Sequence, residues 1–261
     1  MKLKRLGTIL LAGLLAIGLT ACGGSSSKKA DTFTVGFDQN FPPFGYKDDK
    51  GNFTGFDIDL AKETAKRMNK KIKLQPIDWD AKDMELDSGT IDCIWNGFTM
   101  NGRENKYTWT KPYMNNRQVV VVKKASKIAG LKDLAGKIME VQKDSSAQSA
   151  IDANKALKNS FKNYLSVADY NTAMMDLESG AVDAVAMDEF VAKKQIEGKE
   201  NTYAILDESI SSEQYAVGFK KGNTKLRDEV EKTLIAMVKD GTFAKISKKW
   251  FKADYGILKA N

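Results

Sequence analysis

The residues best equipped for chemistry in this chain sit at the ends of apolar runs. Asn96-Gly97-Phe98-Thr99 follows one such run and Met187-Asp188-Glu189 follows another. Arg103 lies just beyond the first. Ser145 and Ser146 precede Ala147-Gln148-Ser149-Ala150-Ile151, a helix start whose free N–H groups can receive an anion. Together these residues offer carboxylate, guanidinium, hydroxyl and backbone groups, the means to hold a polar ligand. What is missing excludes most secreted-hydrolase chemistries. With His 0, no Ser-His-Asp triad, Cys-His pair or histidine-ligated metal site can be built. Cys 2 excludes a disulfide framework and a four-cysteine zinc site. Any acid–base work falls to carboxylates such as Asp188, and strand alternation turns the adjacent Glu189 away from it.

The elements that must position these groups are legible as a repeat. The stretch from Met84 to Ile94 is echoed 91 residues later by the stretch from Met175 to Val185. Each copy reads as a helix end, a glycine cap (Gly89, Gly180) and a short buried strand. One copy per lobe gives two lobes of similar build. At equal offset Gly97 corresponds to Asp188. Around the copies, strands alternate with helices. Thr34–Phe37 reads as a strand, Phe56–Met68 as a helix with Ile58, Ala61, Ala65 and Met68 on one face, and Val119–Val122 as a fully buried strand. The expectation is α/β lobes with mostly parallel sheets flanked by helices, whose ligands collect beyond the carboxyl ends of the strands.

The first residues are an address. Lys2, Lys4 and Arg5 precede an apolar stretch from Leu6 to Leu19, shorter than the roughly 20 residues that span a bilayer. Residues 1–21 read as a signal peptide. It ends in Leu19-Thr20-Ala21-Cys22, which resembles the bacterial lipobox and implies a lipid on Cys22. Residues 22–30, rich in Gly and Ser, make a flexible tether. Removing residues 1–21 takes Lys2, Lys4 and Arg5 and lowers the formal charge from +7 to +4. Lysines are dispersed among acids, so no nucleic-acid groove is expected. Cys93, in the apolar run Ile91-Asp92-Cys93-Ile94-Trp95, reads as a small buried hydrophobe.

Six segments in order carry a resemblance to the family-3 extracellular solute-binding proteins of amino-acid ABC importers, over essentially all of residues 31–261. They are Val35-Gly36-Phe37-Asp38 through Phe41-Pro42-Pro43-Phe44, Gly55-Phe56-Asp57-Ile58-Asp59-Leu60, Asp92 through Thr99 with Arg103, Val141 through Ser146, Asp183 through Asp188, and Asp240-Gly241-Thr242-Phe243 with Lys249-Trp250-Phe251. The resemblance implies a type II periplasmic-binding-protein fold that closes on one L-amino acid in the cleft between lobes. Lobe 1 would take 31–118 with 216–261, and lobe 2 would take 119–215. The crossover segments would lie near 117–122 and 213–218.

The resemblance also implies roles. Arg103 and Thr99 would meet the ligand's α-carboxylate, helped by the helix start; plain N-capping explains one of the two serines equally well, and the resemblance favours Ser146 as the contact. Asp188 and the carbonyl of Gly97 would meet the α-ammonium. Phe41, Trp79 and Trp95 would wall the pocket, and Asp38 would touch the ligand side chain or cap its own loop. Asp38 and Asp80 suit a basic or amide ligand, Arg117 and the lysines an acidic one, and cystine stays open. The implied function is capture of a polar L-amino acid at the outer face of the membrane and delivery to a permease. The expected protein is a lipid-anchored monomer with no cofactor and no metal. Two alternatives remain, a surface adhesin and a dehydratase-like enzyme on the same fold.

Overall fold

The computed structural model describes residues 31–260. The segments 1–21 and 22–30, with Cys22, lie outside the described residues. The chain opens with β1 (Thr32–Phe37), then a small hairpin region of β2 (Asn40–Phe41), β3 (Gly45–Lys47) and β4 (Phe53–Thr54). Next come α1 (Phe56–Arg67), β5 (Lys71–Pro76), α2 (Lys82–Ser88), β6 (Cys93–Ile94) and β7 (Thr108–Trp109). The long β8 (Met114–Lys123) leads into β9 (Ile138–Gln142), α3 (Ser146–Ala153), α4 (Lys155–Ser160) and β10 (Asn163–Val167). There follow α5 (Tyr170–Ser179), β11 (Ala184–Asp188), α6 (Glu189–Gln195) and β12 (Tyr203–Ile205). The chain returns through β13 (Ser211–Tyr215) and β14 (Gly218–Phe219) to α7 (Thr224–Lys239) and α8 (Thr242–Phe251).

Two sheets form the two lobes. The first runs β5-β1-β6-β14-β7, and the second runs β10-β9-β11-β8-β12 with β13 also on β8. Pairing is parallel in one half of each sheet: β1 with β5 and β6, β9 with β10 and β11. It is antiparallel in the other half, where β14 and β8 arrive from the opposite lobe. The sheets are therefore mixed rather than mostly parallel. The valine run Val119–Val122 is buried, as expected, but its neighbours β11 and β12 run against it. That run also belongs to the second sheet proper. The actual crossing is the polar half of β8, Met114–Gln118, paired residue for residue with Tyr215–Ser211, a few residues earlier than the expected segments.

The repeat has a structural cause. Both helices end in a left-handed glycine, Gly89 at φ 79° and Gly180 at φ 85°. The aspartate that follows in each copy ties down a neighbouring parallel strand of its sheet. Asp92 accepts the N–H of Thr34 at 2.7 Å, and Asp183 accepts that of Ile138 at 2.8 Å. Each copy thus locks a helix–strand turn to the adjacent strand and aims the next loop at the cleft. Helix α1 buries Ile58, Leu60, Ala61 and Ala65, and its terminal charges, Asp57 and Asp59 at the start with Lys66 and Arg67 at the end, suit the helix dipole. The closing helix packs Phe251 on Phe56 with ring centres 4.9 Å apart, and Arg67 joins Asp240 at 2.6 Å. Cys93 is fully buried, and burial pushes its thiol well above the ordinary range, in keeping with a packing role. Among the described residues no helix is long and apolar enough to cross a membrane.

Candidate functional site

The loops that follow β6, β9 and β11 meet between the lobes around a narrow, nearly closed cavity. Phe41, Trp79, Gly97, Thr99, Arg103, Ser146 and Asp188 line it, together with Gln142 and Ser145. Asp38 does not. Its carboxylate accepts the N–H of Asn40 at 2.8 Å, capping its own loop, and crosses to Gln142 Nε2 at 2.7 Å. Burial pushes Asp38 up to about 6, opposed by those two bonds. Trp95 is also absent from the cavity; it is fully buried beside Tyr113 in the first lobe's core.

One end of the cavity is electropositive. Arg103 donates to the carbonyl of Thr99 at 3.2 Å and across the cleft to that of Asp144 at 3.3 Å, its guanidinium 5.4 Å from the Phe98 ring centre. Behind it, buried Lys82 donates to the carbonyls of Trp79 at 3.1 Å and Asp144 at 3.4 Å. Burial first, then Arg103, lowers Lys82 to about 8. The start of α3 faces the same end. Ser145 is the cap, its hydroxyl accepting the Gln148 N–H at 3.1 Å. This leaves Ser146 Oγ beside the cavity, where it accepts from Gln118 Nε2 at 2.8 Å.

The other end is acidic. Asp188 ends β11 and is 2% exposed. Its Oδ1 accepts from the Tyr215 hydroxyl at 2.5 Å and from Asn116 Nδ2 at 2.8 Å. Asn116 Nδ2 also donates to Glu213 Oε1 at 2.7 Å. That same Glu213 oxygen accepts from Gln118 at 2.8 Å and from the Thr99 hydroxyl at 2.9 Å. Burial, and then the Glu213 carboxylate, push Asp188 well above the usual carboxylate range. Glu189, the first residue of α6 rather than a strand residue, turns outward to Arg117 at 2.8 Å and Lys193 at 2.8 Å. The second carboxylate near Asp188 is therefore Glu213, which the sequence reading did not single out.

Gly97 brings backbone to this end. Its φ of 54° lies in the left-handed region, and a Cβ there would meet Phe41 at 3.1 Å and Tyr215 at 3.3 Å. Its N–H is held by buried Asp57 Oδ2 at 2.5 Å, whose carboxylate also receives the Tyr113 hydroxyl at 2.9 Å on each oxygen. Phe41, placed by the β2–β3 pairing with Gly45, stands 6.0 Å from Tyr170 of the other lobe, ring centre to ring centre. Trp79 presents its ring edge-on to Phe98 at 5.5 Å.

The specificity cues expected elsewhere are engaged outside the cavity. Asp80 pairs with Lys143 at 2.8 Å across the lobes, and Arg117 is taken by Glu189. The sequence reading missed Glu213, Gln142, Asn116, Gln118 and Lys82. For three of them a signal existed. Met114, Asn116 and Gln118 alternate with more exposed residues along β8, and Glu213 and Tyr215 flank the more exposed Gln214 on β13. A period-two reading carried through the polar half of each strand puts these side chains on the inward face.

Comparisons with known proteins show the family. Residues 33–253 match the family described as bacterial extracellular solute-binding proteins, family 3. The L-cystine-binding protein TcyJ of Escherichia coli K12 is 31% identical, over 97% of this chain and 99% of that protein. A solved ABC uptake transporter substrate-binding protein from Streptococcus pneumoniae with bound histidine is 36% identical, with a TM-score of 0.84 over 87% of this chain and 95% of that one. The ancestral amino-acid-binding protein AncCDT-1, described as a precursor of cyclohexadienyl dehydratase, is 32% identical, with a TM-score of 0.76 over 84% and 95%. A two-lobed α/β chain, with charged and backbone groups facing a cleft between its sheets, belongs to the family-3 bacterial extracellular solute-binding proteins.

Proposed function

We propose that the protein holds a polar L-amino acid as a zwitterion in the interlobe cavity and delivers it to the permease of an ABC importer. The observation that carries this reading is the polarity of the cavity. Arg103, Lys82 and the α3 start mark one end, and Asp188, Glu213 and the Gly97 backbone mark the other. Arg103, Thr99 and the backbone at Ser146 take the α-carboxylate, with Arg able to present two donors in one plane. Asp188 and the Gly97 carbonyl take the α-ammonium, and Phe41 and Trp79 exclude water. Lobe 1 comprises 31–118 with 216–261 and lobe 2 comprises 119–215. The mature monomer begins at lipidated Cys22, which keeps it at the outer face of the membrane.

Calorimetric titration of the purified domain with the twenty amino acids, cystine and ornithine tests this. One or a few polar L-amino acids bind, and Arg103→Ala abolishes that binding. Failure of all to bind would favour the adhesin alternative. The dehydratase reading has one specific observation behind it, the second carboxylate Glu213 beside Asp188. We expect no turnover of a prephenate-like substrate, because three donors converge on one Glu213 oxygen and fix it as an acceptor.

A further inference from the structure

We propose that Asp188 and Glu213 form a carboxylate pair that holds one proton between them and gives it up to solvent when the ammonium of the ligand enters. The proposal rests on the amino-acid-binding reading and adds Glu213 to the groups that answer the ligand's positive charge. Its basis is geometric. A single Asn116 Nδ2 donates to Asp188 Oδ1 at 2.8 Å and to Glu213 Oε1 at 2.7 Å, so the two oxygens lie no more than about 5.5 Å apart. Both residues are buried, at 2% and 5% exposure. Among the described residues neither carboxylate has a salt-bridge partner. Two like charges at that spacing in a dry site do not both ionise, and one proton is retained by the pair.

The surroundings leave this intact. On β13 the pair is faced by the Tyr215 hydroxyl, which donates to Asp188, and from α5 by the Tyr170 hydroxyl, which burial keeps protonated. Asp38, across the cleft, is engaged by Gln142. Arg103 directs its guanidinium to two carbonyls, Lys82 does the same with its ammonium, and Glu189 is neutralised by Arg117 and Lys193. Three donors converge on Glu213 Oε1 and hold it as an acceptor, and the proton resides on Asp188, which burial holds well above the usual carboxylate range. When R–NH3⁺ arrives it supplies the missing cation. The Asp188 O–H bond breaks, the proton leaves to buffer, and R–NH3⁺ remains against two carboxylates. Charge and protons balance, with no other reactant.

The test is proton counting by calorimetry. The tightest binder among the twenty L-amino acids and L-cystine is titrated near neutral pH in buffers of differing ionisation enthalpy. The proposal expects wild type to release about one proton per ligand, and its Kd to rise about tenfold per unit as pH falls below neutrality. Glu213→Gln removes the like charge, so Asp188 ionises more readily and release falls below half of the wild-type value. Binding with an enthalpy independent of buffer overturns the proton exchange and leaves the functional reading standing. Full proton release retained in Glu213→Gln overturns the role of Glu213. No binding by any ligand overturns the functional reading and this proposal with it. If Glu213→Gln does not fold, the wild-type buffer dependence and the pH profile of Kd decide alone.

Discussion

Replacing Asp57 by asparagine removes one ionisation beneath the cavity while keeping its shape. The Asp57 carboxylate is fully buried, and burial pushes it up to about 7 against the pull of the Gly97 N–H and the Tyr113 hydroxyl. A carboxyl raised from 3.8 to about 7 on folding binds its proton more tightly in the native state. Its contribution to stability is therefore complete below the unfolded pKa and is lost as pH rises through about 7. At 1.36 kcal/mol per unit, wild type loses roughly 3 kcal/mol through this group between about pH 4.5 and about pH 8. The Asp57→Asn variant carries no such loss. The oxygen of the new amide still accepts the Gly97 N–H, and its nitrogen donates to the Tyr113 hydroxyl. Urea unfolding at the two pH values should show the difference in stability, variant minus wild type, moving by roughly 3 kcal/mol in favour of the variant at the higher pH. Identical differences at both pH values would refute the reasoning and place the Asp57 pKa near its unfolded value.

Three further outcomes are expected. Asp188→Ala leaves the ligand's ammonium short of its partner at a cost of roughly 2–5 kcal/mol, which calorimetry reads as about 30-fold to several-thousand-fold weaker binding with little change in Tm. Gly97→Ala must hold a left-handed φ of 54° and press on Phe41 and Tyr215. It should cost about 1–3 kcal/mol of stability in a denaturant titration and weaken binding as well. Mass spectrometry of the mature protein from its native membrane should find Cys22 first and diacylglycerol attached to it; an unlipidated amino terminus upstream of Cys22 would refute the anchor.

The parts of the site built from loop motifs were legible because type and position both matter there. Gly97 is the residue that a positive φ demands, Asp188 ends a buried strand, and the Ser145-Ser146 step marks a helix start. The repeat was legible for the same reason, since a glycine cap and an aspartate gripping a neighbouring strand are local devices. What was not legible depends on which strands cross. Glu213 becomes a neighbour of Asp188 only because β13 lies against β8 and β8 against β11, a pairing no local pattern encodes. For Asp38 the resemblance left two roles open, ligand contact or the cap of its own loop. Its carboxylate caps the loop at Asn40, and Gln142 of the other lobe also takes it, a contact that depends on how the lobes meet.

The pairing of β8 with β13 also has a mechanical consequence. Five successive residues, Met114–Gln118, are bonded to Tyr215–Ser211, so the two connections between lobes form one laminated ribbon rather than two separate joints. A two-stranded ribbon flexes readily across its face and resists shear, because sliding one strand past the other breaks its ladder. Such a ribbon favours a swing of the lobes over a slide of one past the other. Thr99, on the first lobe, is bonded to Glu213 inside the ribbon, and Ser146, on the second, is bonded to Gln118. Groups on both jaws are thus bonded to the ribbon that joins the lobes.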